Sequence, residues 1–177
     1  MYTYIKSRYW LHWSISFVLM LAVALLMTQS DYFSVPDLMR IEFASDTGTL
    51  FGLIQPYETG DYNPLYNNTL LDFGYMLAYT LLFYFSGLVL WDLLEFRQRR
   101  WLAGLLLPLL FDLVENVLLL QMIGRPPEQY CCFELFAIAV RLKWAFAIPG
   151  AILTIIVLMY QMYVAADKLY CYFIKDR

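Results

Sequence analysis

Trp101 to Ile123 reads WLAGLLLPLLFDLVENVLLLQMI, and this stretch decides the architecture. It is long enough to cross a bilayer, for which about 20 mostly apolar residues suffice. Yet it carries Asp112, Glu115 and Asn116. These stand at i, i+3 and i+4, so a helix puts all three on one face. Ionisable groups in such a helix turn to the interior of a bundle, because lipid offers them no partner. The stretch therefore predicts companion helices.

Three further apolar runs meet the same length criterion. Tyr9 to Thr28 holds only His12 as a titratable group with an ordinary pKa near neutrality, Thr69 to Trp91 is interrupted by Asp72, and Phe133 to about Val164 carries Glu134, Arg141 and Lys143. The last exceeds one bilayer thickness, so it is expected to tilt, to bend at Pro149-Gly150 or to protrude. The fold class is all-α: one four-helix transmembrane domain over residues 1–177, with spans at about 9–28, 69–91, 101–123 and 133–164. Composition agrees, at 62% hydrophobic and 15% charged residues. A soluble chain averages roughly 45–50% apolar and about 25% charged, and buries only about 70% of its surface at this length. The first run follows Lys6 and Arg8 as a signal peptide would. However, it is longer than a signal core, and Met27-Thr28-Gln29-Ser30 is no small-x-small cleavage site, so it reads as a retained signal anchor.

Orientation follows from the flanking cations. With four spans, Lys6, Arg8, Arg97, Arg99, Arg100, Lys168, Lys175 and Arg177 share one side, against Arg40 and Arg125 on the other. The first side is expected to be cytoplasmic, with both termini, in a multi-pass plasma-membrane protein. The connection 29–68 then lies outside. It is acidic, with Asp31, Asp37, Glu42, Asp46, Glu58 and Asp61 against Arg40. Pro36 to Phe43 reads as a short helix, and Leu50, Phe51, Leu53 and Ile54 as a second apolar patch. Together they predict an extracytoplasmic short-helix cap on the bundle, a mobile acidic loop being the alternative. Asn67-Asn68-Thr69 matches a glycosylation acceptor but sits against the membrane.

Several function classes drop out. There is no basic block, so no nucleic-acid partner is expected. Cys131, Cys132 and Cys171 make neither a disulfide framework nor a metal spacing. Cys171 is read as a small apolar filler in preference to a palmitoylation site. A single histidine excludes bis-histidine haem. No phosphate loop, dinucleotide fingerprint, serine elbow or metalloprotease motif occurs. No metal and no cofactor are expected. His12, beside Trp10 and Trp13, is read as an interfacial anchor, and Met20, Met27, Met76 and Met159 as packing residues.

What remains is a polar constellation inside the apolar spans. Counting inward at ~1.5 Å per residue, Glu115 lies roughly 12 Å and Asp112 roughly 16 Å from Ile123, while Arg141 lies roughly 12 Å and Lys143 roughly 15 Å from Phe133. The acidic and basic groups thus reach one level from neighbouring spans. Arg141 and Lys143 stand about 200° apart around a helix, so both cannot point at one spot. Asp72 lies nearer the outer end of the second span, and Tyr75, Tyr79 and Ser86 continue its face. The candidate ligand-binding set is Asp72, Tyr75, Asp112, Glu115, Asn116, Arg141 and Lys143.

The Asp112-x-x-Glu115-Asn116 motif resembles that of a group of small, uncharacterised bacterial membrane proteins. Glu42 in Ile41-Glu42-Phe43-Ala44, Asp72 in Leu71-Asp72-Phe73 and Lys143-Trp144 carry the rest of the likeness, over roughly residues 40–150. The resemblance implies a four-helix architecture and no particular activity. The architecture is also similar to sterol-isomerase-type and sigma-2-receptor-type proteins, by analogy only. Whether the chain is an enzyme stays open. Three functions stand side by side: binding of a lipophilic or amphipathic small molecule or lipid at the intramembrane cluster; proton- or ion-coupled transport by a homo-oligomer; and a non-catalytic accessory subunit whose ion pairs fix packing. Membrane lipids are the expected surroundings in each.

Overall fold

The computed structural model describes residues 9–28, 35–57, 64–95, 100–130 and 132–175; of residues 35 and 171–175 it describes the backbone alone. Lys6, Arg8, Asp31, Glu58, Asp61, Arg97, Arg99, Cys131 and Arg177 lie outside the described residues, as do the side chains of Cys171 and Lys175. Among the described residues the secondary structure is helical throughout, with no strand. α1 covers Trp10–Thr28, α2 Val35–Glu42, α3 Thr47–Ile54, α4 Pro64–Leu94, α5 Leu107–Met122 and α6 Phe133–Lys175. A 3-10 segment, Arg100–Leu106, leads into α5. Four stretches are long and apolar enough to cross a membrane: Trp10–Thr28, Pro64–Leu94, Arg100–Met122 and Phe133–Tyr170.

The helices exceed the apolar runs that reveal them. α4 starts at Pro64, five residues ahead of the expected Thr69, because proline's fixed φ suits the first turn of a helix and its missing N–H is not needed there. That extension takes in Asn67-Asn68-Thr69. Thr69 is buried, and its hydroxyl donates to the Leu65 carbonyl at 2.8 Å, which ill suits a glycosylation acceptor. α6 runs 43 residues without a break, past the expected Val164. Hydropathy falls there, but Ala165, Ala166, Lys168 and Leu169 are all good helix formers. The helix continues through Pro149 as one element of 43 residues.

α4 is central, touching α1, α5 and α6. Side-chain partners give the register. Trp13 of α1 bonds Ser86 of α4, and Val23 lies beside Gly74, so α1 and α4 run antiparallel. Ser86 also meets Thr154 at 3.0 Å, and Phe83 lies against Gly150, so α4 and α6 run parallel. Trp10, at one end of α1, stacks on Tyr160 of α6 with ring centroids 6.2 Å apart. From Tyr160 to Lys175 is fifteen further residues, so α6 continues about 22 Å beyond that end of α1.

The two short helices fold onto the opposite end. Ile41, Leu50 and Ile54 have no exposed surface and join Leu118, Leu119 and Met122 of α5 and Phe136 and Val140 of α6 in one apolar cluster. The helix expected at Pro36–Phe43 is α2, and the second apolar patch is the buried side of α3. Asp46 caps α3: its side chain accepts from the Thr49 amide at 2.8 Å and from the Thr49 hydroxyl at 2.8 Å.

Two predictions follow from this geometry. The Asp46 carboxyl is held down at about 2, first by the Ser45 hydroxyl and then by the Thr49 amide and hydroxyl. A depressed carboxyl adds stability that is present above its unfolded value near 4 and lost as pH falls through about 2. Hydrogen exchange across Thr47–Ile54 should therefore rise several-fold in that window, and Asp46→Ala should give the same rise at neutral pH. A Cβ on Gly150 would overlap the ring of Phe83. Gly150→Val should destabilise the bundle by about 1–3 kcal/mol in detergent unfolding, with part of the loss recovered by Phe83→Ala.

Candidate functional site

Lys143 sits on the inward face of α6 at 6% exposure, with Val140 and Ala139 one turn before it and Gly150 two turns after. An ammonium carries three N–H donors. Here it meets three carboxylates: Glu42 Oε1 at 2.8 Å, both oxygens of Glu115 at 2.7 and 2.9 Å, and Asp112 Oδ1 at 3.4 Å. The first two are hydrogen-bonding distances. The aligned hydrogen bonds run to Glu42 Oε1 and Glu115 Oε1, while Glu115 Oε2 and Asp112 Oδ1 meet the ammonium as ion pairs without an aligned hydrogen bond. The other oxygen of Asp112 accepts from the Tyr79 hydroxyl of α4 at 2.6 Å. Asp112 and Glu115 are each 2% exposed and Glu42 7%.

The i, i+3, i+4 spacing on α5 works as the sequence predicts. Asp112 and Glu115 turn to Lys143, while Asn116, on the same face, reaches α4 and donates to Asp72 Oδ2 at 2.7 Å. Asp72 is half-buried, as is Tyr75, whose ring lies 5.5 Å from that of Tyr79. Asp72, Tyr75, Asp112, Glu115, Asn116 and Lys143 therefore gather at one place. Arg141 does not. It is exposed on the outer side of α6, as the 200° separation from Lys143 requires of one of the two. Glu134 is exposed as well.

Three members were not in the candidate set: Glu42, Tyr79 and Trp144. Glu42 is the last residue of α2, directly after the buried Ile41, and its second oxygen accepts from the Trp144 indole at 2.7 Å. Its position on the buried edge of a short amphipathic helix, and its place in the Ile41-Glu42-Phe43-Ala44 segment of the family likeness, were the available signals. Tyr79 stands seven residues after Asp72, on the polar stripe that sequence already marks. Trp144 follows Lys143 and faces Phe43, with centroids 6.3 Å apart.

Ser86, the far end of that stripe, belongs elsewhere. It accepts from the Trp13 indole at 2.8 Å and donates to the Leu82 carbonyl at 2.7 Å, a separate node tying α1, α4 and α6. Trp13 is accordingly buried, while His12 stays exposed against Phe85 at 5.2 Å. Among the described residues no three His, Cys, Asp or Glu side chains are placed so that they could hold a metal ion.

In charge, Glu42, Asp112 and Glu115 face one ammonium, and Asp72 adjoins them through Asn116. Counted as ionised, they leave the centre strongly negative. In a low-dielectric interior such an excess is met by protons on the carboxyls or by an added cation. The arrangement can thus hold and pass protons or accept a cationic head. Comparison with protein-family models, curated proteins and solved structures finds no match to this chain.

Breaking a buried pair by removing one partner costs about 3–5 kcal/mol, because the remaining charges lose their compensation. Lys143→Met should lower unfolding stability in detergent by that order. Neutralising Glu42 and Glu115 to Gln in the same chain should restore part of it.

Proposed function

We propose that this chain is a multi-pass plasma-membrane protein, both termini cytoplasmic, that binds the polar head of a lipophilic or amphipathic molecule at the Lys143 cluster. In this reading α2 and α3 form the extracytoplasmic cap over the site. The observation that carries it is the charge count: one ammonium against four carboxyls, beneath an apolar cover. The excess favours a cationic or hydroxyl-bearing head over an anion. Asp72 and Tyr75 supply the half-buried edge at which such a head can meet the inner carboxyls. Leu71, Leu113 and Val117, all exposed, flank that edge and suit an apolar tail. Membership of the bacterial group belongs to the same proposal. Glu42, Asp72, Asp112, Glu115, Asn116 and Lys143-Trp144, which carry the likeness, are the residues that meet here.

A second reading has its own support. Tyr79, Asp112, Lys143, Glu115 and Glu42 form a series of groups in contact, each able to exchange a proton. A proton-coupled transporter would use such a series.

Native mass spectrometry of the protein released from lipid nanodiscs, with identification of what co-purifies, tests the binding reading. A bound amphipathic molecule is expected, its occupancy falling about tenfold in Asp72→Asn and Asp112→Asn and holding in Arg141→Gln. Equal occupancy in all four proteins would sink it. Proton flux in liposomes, abolished by Asp112→Asn, would put transport in its place.

A further inference from the structure

α6 carries two stripes with the same spacing. The inward one, Phe136, Val140, Lys143, Ala147, Gly150, Thr154 and Val157, alternates steps of four and three and packs into the bundle. The outward one, Ile152, Ile156, Met159, Tyr163, Ala166 and Tyr170, repeats those steps on the other side of the helix. Every residue of it is exposed, Met159 at 64%, Tyr163 at 67% and Tyr170 at 66%. A four-three apolar repeat is the pattern with which one helix seats against another.

On the membrane reading above, lipid covers the first half of this stripe but not the second. α1 is 19 residues, about 28 Å, close to the hydrocarbon thickness. Its end at Trp10 stacks on Tyr160, which sets the inner boundary on α6 near that residue. Tyr163, Ala166 and Tyr170 then stand about 4 to 15 Å beyond hydrocarbon. α6 is unbroken from Phe133 to Lys175, so this part cannot lie back along the membrane surface. Lys168 is two residues from both Ala166 and Tyr170, about 160° round the helix, and Asp167 borders the stripe about 60° from Tyr170, so the stripe residues themselves are uncharged.

We infer that the outward stripe of α6 is the seam of a homodimer, in which two copies of this chain pair their last helices in parallel. A second copy fits because the membrane holds both chains in one orientation and brings identical stripes to one level, as a two-fold axis along the membrane normal requires. The stripe is also continuous across the boundary, so one seam serves both in lipid and in water. Covering about half of its exposed apolar surface with its flanks removes on the order of 600 Å² per copy, or about 1,200 Å² in all, where specific interfaces begin. The ligand cluster lies on the other face and takes no part, so the dimer stands whether or not anything binds there.

Single cysteines placed along α6 of a chain whose native cysteines are replaced, oxidised in native membranes, test this. Chain-to-chain disulfides are expected at Met159, Tyr163, Ala166 and Tyr170, with little at Tyr160, Gln161, Val164 and Lys168. Ala166→Arg should reduce the dimer seen by native mass spectrometry from nanodiscs about tenfold. Its helicity and the Gly150–Phe83 packing should be untouched. Cross-linking without that periodicity, a monomer in nanodiscs, or cross-links running to a different protein would each overturn the proposal. Loss of ligand from the cluster with the dimer intact would bear on the binding reading alone.

Discussion

Everything at the closed end of this molecule depends on one buried ammonium. Lys143 reaches α5 through Asp112 and Glu115 and reaches α2 through Glu42. Its side chain thereby joins segments a hundred residues apart in sequence. Around that point the apolar residues Ile41, Leu50, Ile54, Leu118, Leu119 and Phe136 close off water. Each depends on the other. Without the apolar cover the ion pairs would be solvated and weak, and without the ammonium three carboxylates could not be enclosed together.

The two ends of the bundle are held by different chemistry. At the far end from Glu42, Trp13, Ser86 and Thr154 tie α1, α4 and α6 with neutral hydrogen bonds, and Gly150 lets α6 approach the ring of Phe83. Neutral groups that satisfy one another fix geometry at small electrostatic cost. Charged groups in excess do not, and on the proposed reading they are where a proton or a ligand head would compensate the charge.

Most of this was legible in sequence, and the failures have physical causes. Apolar runs marked all four long helices because lipid-length segments need them, but helix ends were misplaced. Pro64 starts α4 and the good formers after Val164 prolong α6, and hydropathy reports neither. The spacing of Asp112, Glu115 and Asn116 located the polar face of α5, and depth counting brought Lys143 to its level. The same counting admitted Arg141, because depth along a helix says nothing about the side from which a residue points. Glu42 escaped the candidate set because its partner is a tertiary one. The likeness to the bacterial group marks Ile41-Glu42-Phe43-Ala44, but spacing within an acidic connection does not say what Glu42 pairs with until α2 is seen to dock its buried edge on α6.

The latch at Glu42 also has a consequence for biogenesis. Synthesis delivers Glu42 first, then Asp112 and Glu115, and only afterwards Lys143. Until the final helix is made, the acids lack the Lys143 counter-charge, and the two short helices have the α5 side of their seat but not Phe136 and Val140 of α6. A nascent chain arrested before residue 133 therefore presents uncompensated carboxyls within an apolar span, the kind of defect that membrane quality control removes. On the proposed membrane reading, completion of the last helix, rather than insertion of the first, would be the step that compensates these acids.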